Sequence, residues 1–458
     1  MKEQNVSMKL KIICAVLTLC MVLSIVSTFS KAGVAPVTKD DVIDSDDKQN
    51  INTEIDYYNI SCGDIVDRHE TPIQENSASG EAGGVHDCFG MLVGYYDPDY
   101  GSYGLKGDNK DIMYREYKKT GKGLSLKLTI DSDLQEFVYN EFAGRDASVV
   151  ILERGSGRLL SLVSTDSQAD FNPANIYDSD AMNTYNSIKN FWLPKYTQDA
   201  AGGSVMKVFT AAVMNELGLE DFVYDDATGE IYYPEGKIKN CSGEAFGVIG
   251  LSEGFVHSAN TYFAKAAEKI GRYRLNMYAE KMCFNRDIEC DFATISPVYD
   301  TGNSSFDIGS AGYGQGKTLH STVSLAMMMQ AICDRNLYLP HVIDSTFYYG
   351  KDGIKTVDST KETIISKNVV TRDTAKAVDE LMLAASESYG ISRELGIRSK
   401  TGTAEIEEEG IVTGRATFLS YSDKYIVAVS EHYTDTVFGA SLIEETENIY
   451  RFMAEYNI

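Results

Sequence analysis

The stretch GGSVMKVFTAAVM, residues 202–214, constrains the fold more than any other. Val208, Phe209, Ala211, Ala212, Val213 and Met214 make it apolar nearly all round, and such a helix must be enclosed by other elements on every side. The domain that holds it is therefore layered, with this helix inside. Lys207 stands in the same run, three residues after Ser204. A buried lysine must be paired, or made neutral by a depressed pKa. One reading is an N-capping serine followed by a snorkelling lysine. The other is a nucleophile and its base, one turn apart on a helix face. The spacing alone does not decide, because Ser45 and Lys48 repeat it in an acidic, loop-like stretch.

At 458 residues the chain exceeds one ordinary core, which predicts one large domain plus something smaller. The net charge of −25 repels nucleic acid and argues against a DNA- or RNA-binding role. Near the N-terminus, Lys2, Lys9 and Lys11 precede an uncharged run from Ile12 to Phe29, just long enough to span a bilayer. Positive charge before the run and acidic residues after it predict a cytoplasmic tail and an extracytoplasmic body. STFSKAG is a poor cleavage site, which favours a retained anchor over a signal peptide. The expected organisation is a tail and anchor over 1–30, a short juxtamembrane segment over 31–122 and a main domain over 123–458.

Cys14 and Cys20 lie in the apolar run; Cys62, Cys88, Cys241, Cys283, Cys290 and Cys333 lie beyond it. Those six could form three bridges, with Cys283 and Cys290 the most local pair, and the connectivity stays open. None has zinc-ligand spacing.

Along the chain, QENSASGEAGGVH reads as a flexible loop. LSLKLTI alternates like a strand, and DSDLQEFVYNEF is a helix capped by Asp131. ASVVILERGSGRLLSLVS is a hairpin turning at Arg154-Gly155-Ser156-Gly157. SEGFVHSANTYFAKAAEKIG reads as two helices meeting at Ser258-Ala259-Asn260. IRSKTGTAEI, RATFLSYS and YIVAVSEHY read as consecutive antiparallel strands, followed by a final helix, LIEETENIYRFMAEY. The fold class is α/β of the α+β type, an antiparallel sheet with helices packed on it.

Three motifs stand in order: Ser204-Val205-Met206-Lys207, Ser258-Ala259-Asn260 and Lys400-Thr401-Gly402. Each is weak alone. Ser366-Lys367-Asn368 also fits S-x-N, and Lys119-Thr120-Gly121 also fits K-T-G. Context separates the copies: Lys119 lies in a turn between charged residues and before the S-x-x-K, whereas Lys400 lies on a strand that leads into two more. Ordered this way, the set is that of serine acyltransferases that react with β-lactams.

The chain resembles a class B penicillin-binding protein beyond these triplets. GDIVDRHETPI, residues 63–73, is similar to that family's juxtamembrane motif. GSYGLKGDNKDIM and LTIDSDLQ resemble its lead-in to the catalytic domain, and AGYGQG, residues 311–316, its Gly-Gln-Gly turn. Two departures stand out: Gly202 where the family usually has proline, and Thr417-Phe418 where it often has Trp-Phe.

The resemblance implies the β-lactamase/transpeptidase-like fold and a D,D-transpeptidase reaction. Ser204 would attack the D-Ala-D-Ala end of a peptidoglycan stem peptide, and penicillins would acylate the same serine. Lys207 would be the base, made neutral by burial and by the nearby Lys400. Ser258 would relay a proton and Asn260 would hold Lys207 and the substrate amide. The oxyanion hole would be the backbone N–H groups of Ser204 and Thr403, with Thr401, Gly402 and Thr403 along the substrate and Lys400 at its carboxylate. No metal or organic cofactor is needed, and the six histidines are expected to be structural or exposed. Implied partners are a membrane glycosyltransferase or a division or elongation complex. β-Lactamases, D,D-carboxypeptidases and antibiotic sensors share the triplets, and a non-catalytic scaffold with a relic site is the remaining alternative.

Overall fold

The computed structural model describes residues 61–76, 84–408, 411–433 and 438–458. The apolar run Ile12–Phe29 and the Ser45–Lys48 pair lie outside these residues, among which no helix is long and apolar enough to cross a membrane. The elements that position the site are, along the chain, β1 (Ala147–Glu153), β2 (Leu159–Ser164), α1 (Lys207–Glu216), α2 (Asn260–Ile270), α3 (Thr322–Cys333), α4 (Arg372–Ser388), β3 (Arg398–Glu408), β4 (Ile411–Tyr421), β5 (Tyr425–Tyr433) and α5 (Ile443–Glu455). The five strands form one antiparallel sheet in the order β3-β4-β5-β1-β2, which leaves β3 as an edge strand.

β1 and β2 are buried along nearly their whole length, without the in-out alternation of a half-solvated sheet, because helices cover both faces. On one face Ser148 of β1 bonds the Thr322 hydroxyl of α3 at 2.7 Å. On the other, Ser161 of β2 donates to the Gln135 amide oxygen at 2.8 Å. Gln135 belongs to the helix Ser132–Glu141, whose cap, Asp131, accepts from the Leu134 N–H. The buried Gln135 amide also accepts from the Leu162 N–H and donates to the carbonyls of Cys88 and Leu162, so its donors and acceptor are all used. α5 packs on this helix, with the Phe137 and Phe452 rings stacked at 4.3 Å. The antiparallel sheet between helical layers is therefore present, and the hairpin, the Asp131 cap and the three late strands fall where the residue patterns place them.

α1 is the enclosed helix: every residue from Lys207 to Met214 is buried. It packs against α2 and α4. A second five-stranded sheet joins Ser125–Leu128 in parallel to Ile65–Val66 and antiparallel to Ile343–Gly350. Ile65 and Leu126 are fully buried in the same core cluster as α1. Asp67 accepts the N–H groups of His69 and Thr71, both at 2.8 Å, and so turns the chain back into Pro72–Gln74.

All six described cysteines are free thiols. Cys283 and Cys290 are not bridged; the Cys283 sulfur instead meets the Arg286 guanidinium.

Candidate active site

Ser204 sits in a short 3-10 turn, Gly203–Met206, that runs straight into α1, so Lys207 opens the helix proper. The turn is wedged between two other segments. Gly203 has a φ of +62°, and a Cβ on it would lie 2.7 Å from the Thr403 carbonyl oxygen of β3. Its N–H donates to the Gly314 carbonyl at 2.9 Å, so the AGYGQG turn supports the nucleophile loop from the other side. Only glycine accepts both the left-handed backbone and that close approach.

Lys207 is fully buried and its Nζ lies 2.8 Å from Ser204 Oγ. It also lies 2.5 Å from the Ser258 carbonyl oxygen, 2.7 Å from Asn260 Oδ1 and 3.0 Å from Ser258 Oγ. The carbonyl and the amide oxygen can only accept. A neutral amine fits this ring: its two hydrogens go to those oxygens, and its lone pair is left for the proton of one of the two hydroxyls. Burial, reinforced by the Lys400 ammonium, pushes the Lys207 pKa well below the ordinary lysine range, toward that neutral form.

Ser258 links the two lysines, its Oγ lying 3.0 Å from Lys207 Nζ and 3.0 Å from Lys400 Nζ. Its backbone is left-handed, φ 56°, unusual for serine. This kink between the helices Leu251–Val256 and α2 turns both its hydroxyl and its carbonyl onto Lys207. Asn260 opens α2 and is anchored by an Nδ2 donation to the Lys239 carbonyl at 2.8 Å.

Lys400, Thr401, Gly402 and Thr403 lie on β3, with Lys400 fully buried. The Thr401 N–H faces away from β4, toward the Tyr389 hydroxyl. By the two-residue alternation of a strand, the Thr403 N–H faces the same open edge, beside the Ser204 turn. Thr403 Oγ1 accepts from the Gly439 N–H at 3.1 Å. A Cβ at Gly402 would lie 2.2 Å from Thr417 Oγ1 and 2.9 Å from the Gly202 carbonyl oxygen, so the nucleophile loop and β4 close on this point.

All eight residues singled out from the sequence thus lie in this nucleophile loop, its hydrogen-bond ring or the adjoining stretch of β3. The rival copies lie elsewhere in the chain. Lys119-Thr120-Gly121 forms a turn closed by the Gly121 N–H to the Tyr117 carbonyl, with Lys119 over the Tyr117 and Tyr348 rings. Ser366 ends a strand of its own, and Asn368 faces Arg335.

Both departures have local partners. The space beside Gly202 is filled by His320, whose Cδ2 would lie 2.8 Å from a Cβ there. Thr417 donates from Oγ1 to the Gly202 carbonyl at 2.9 Å. Arg415, fully buried, donates to the His320 carbonyl at 2.6 Å and the Ala200 carbonyl at 3.3 Å, pinning the segment before Gly202. Tyr389 was also invisible in the sequence: its hydroxyl meets Lys400 Nζ at 3.1 Å and Thr401 Oγ1 at 3.2 Å. No local pattern marks Tyr389 or Arg415: Tyr389 meets the strand that begins beyond the next turn, and Arg415 a loop some 215 residues away. His320 and His341 are buried, His69 and His86 are exposed, and none of the six histidines is hydrogen-bonded to Ser204 or Lys207 among the described residues.

The family model described as the penicillin binding protein transpeptidase domain matches residues 147–449, well over half of the chain. The chain is 24% identical to the peptidoglycan D,D-transpeptidase MrdA of Acinetobacter baumannii over 68% of its own length and 49% of that protein. It is 23% identical to stage V sporulation protein D of Bacillus subtilis, over 70% of its length and 51% of that protein. It therefore spans about half the length of these curated relatives. Its fold is similar to that of penicillin-binding protein A from M. tuberculosis, solved as a ceftriaxone acyl-enzyme, with a TM-score of 0.76 at 19% identity over 87% of this chain and 99% of that one. The D,D-transpeptidase domain of a peptidoglycan glycosyltransferase from Eggerthella lenta aligns with a TM-score of 0.75 at 20% identity, over 87% and 99%. With the family model spanning the sheet, the buried helix and all three motifs, the chain belongs to the penicillin-binding protein transpeptidase family.

Proposed function

We propose that this protein is a serine D,D-transpeptidase of peptidoglycan that works through a Ser204 acyl-enzyme and is acylated by β-lactams. The observation that carries the reading is Lys207 Nζ, fully buried 2.8 Å from Ser204 Oγ, with burial and Lys400 driving it toward the neutral amine that can take the serine proton. Ser204 Oγ would attack the penultimate carbonyl of a stem peptide ending in D-Ala-D-Ala while its proton passes to Lys207. The N–H groups of Ser204 and Thr403 would hold the oxyanion. Ser258, bridging both lysines, would hand the proton to the departing D-alanine. An amine on a neighbouring strand would then take the acyl group and release Ser204. Lys400, Thr401 and Thr403 would receive the terminal carboxylate, and Gly402 would keep the strand flat against the nucleophile loop.

In this reading the chemistry resides in residues from about Gly123 to Ile458, with the strands around Ile65–Val66 paired onto them. The run Ile12–Phe29 and the lysines before it support a single anchor with the catalytic body outside the cytoplasm. A membrane glycosyltransferase or a division or elongation complex would then be the partner.

Labelling the full chain with a fluorescent penicillin tests the proposal. A long-lived covalent adduct that is lost in Ser204→Ala is the expected outcome. Rapid turnover would make the protein a β-lactamase, and no adduct would make the site a relic.

A further inference from the structure

The groups proposed to take the substrate carboxylate already have partners within the protein. An ammonium has three N–H donors. Those of Lys400 are all used, on Ser258 Oγ at 3.0 Å, the Thr401 carbonyl at 3.1 Å and the Tyr389 hydroxyl at 3.1 Å. The Tyr389 oxygen collects two more donors, Thr401 Oγ1 at 3.2 Å and the Thr401 N–H at 3.5 Å. Three donors on an edge strand thus converge on one phenol oxygen, an arrangement suited to an anion. The Ser258 hydroxyl and the Thr401 carbonyl are held by the kink and the strand, so the Tyr389 bond is the one Lys400 can exchange. Tyr389 caps the C-terminus of α4 and is followed by the exposed Gly390, φ +78°, where the chain turns away.

We propose that Tyr389 is a binding-site residue whose hydroxyl takes the place of one terminal carboxylate oxygen of the substrate on Lys400 and Thr401 and is displaced by it on binding. This rests on the transpeptidase reading above. A ligand with a full negative charge regains from Lys400 and Thr401 more than the neutral phenol gives up, because charge-assisted hydrogen bonds are the stronger kind. A neutral ligand end gains nothing by the exchange and leaves Tyr389 in place. The tyrosine therefore acts as a competitor that a carboxylate displaces at a cost and that a neutral end never meets, so its removal favours the acid alone.

The test compares the full chain with Tyr389→Phe, which keeps the ring and removes the oxygen. Second-order acylation rates are measured for benzylpenicillin and for its methyl ester, with thermal melting as the control for folding. Removing the competitor should raise the rate with the free acid by about three- to tenfold, the worth of one exchanged hydrogen bond, and leave the ester unchanged. Unchanged rates for both, or a slower reaction with the acid, would overturn the proposal. Equal changes for acid and ester with intact melting would make Tyr389 a tether for Lys400 and also overturn it. Failure of the wild-type chain to acylate at all would instead remove the transpeptidase reading on which the proposal stands.

Discussion

Among the groups that titrate on acidification, the buried ring of His320 should destabilise the protein. The side chain is fully buried beside Gly202, and among the described residues neither ring nitrogen has a hydrogen-bond partner. Burial, helped by the Arg415 guanidinium, lowers its pKa from 6.5 to about 3. Below the higher value the unfolded chain takes up a proton that the folded chain refuses. Stability is therefore lost as pH falls from about 6.5 toward 3. At about 1.4 kcal/mol per pH unit, the loss between pH 7 and pH 5 is about 2 kcal/mol. Other groups titrate in the same window, among them His432, lowered by burial from 6.5 to about 3 with the same sign. Asp291, which accepts the N–H groups of Val342 and Ile343, is raised by burial to about 7, and its contribution has the opposite sign. The raw profile is thus a sum, and the difference between wild type and His320→Leu isolates the histidine. Leucine has similar bulk and forfeits no hydrogen bond, so this variant should match or exceed wild-type stability at pH 7. Urea denaturation of both proteins at pH 7 and pH 5 should show a gap in favour of the variant that widens by about 2 kcal/mol at the lower pH. A constant gap would mean that His320 becomes protonated in the folded protein, and the burial argument would fail.

Replacing Lys207 by arginine should leave a folded protein that acylates about a hundredfold more slowly or worse, since guanidinium stays charged and accepts no proton; stopped-flow labelling alongside melting measures both. Lys119→Ala should label with penicillin at the wild-type rate while Lys400→Ala labels very poorly, and equal loss in the two would mean that the exposed K-T-G copy takes part. Gly402→Ala places a methyl 2.2 Å from Thr417 Oγ1 and should cost about 1–3 kcal/mol of stability as well as acylation; Thr417→Ser in the same chain removes a methyl but not that oxygen and should not rescue it.

Much of the site was legible before any coordinates. The all-round apolar pattern of α1 requires enclosure, and enclosure is what drives Lys207 toward neutrality. The Asp131 cap, the hairpin over 147–164 and the alternation around Lys400 are local signals, and local structure follows them because cap, turn and strand preferences act within a few residues. Tertiary structure alone decided which residues meet. Lys207 reaches Asn260 across 53 positions and Lys400 reaches Ser258 across 142, and no periodicity encodes such a meeting. Tyr389 on the carboxylate donors, His320 filling the space beside Gly202, and Arg415 pinning Ala200 are of the same kind. Cys283 and Cys290, close in sequence, were the natural pair on spacing, yet the fold leaves them as separate thiols. Residues 61–122 read as polar linker because a two-residue strand such as Ile65–Val66 is too short to show a pattern; only its parallel pairing with Ser125–Leu128 buries it. Sequence specifies what each segment must bury, while the partner that buries it is settled by packing of the whole chain.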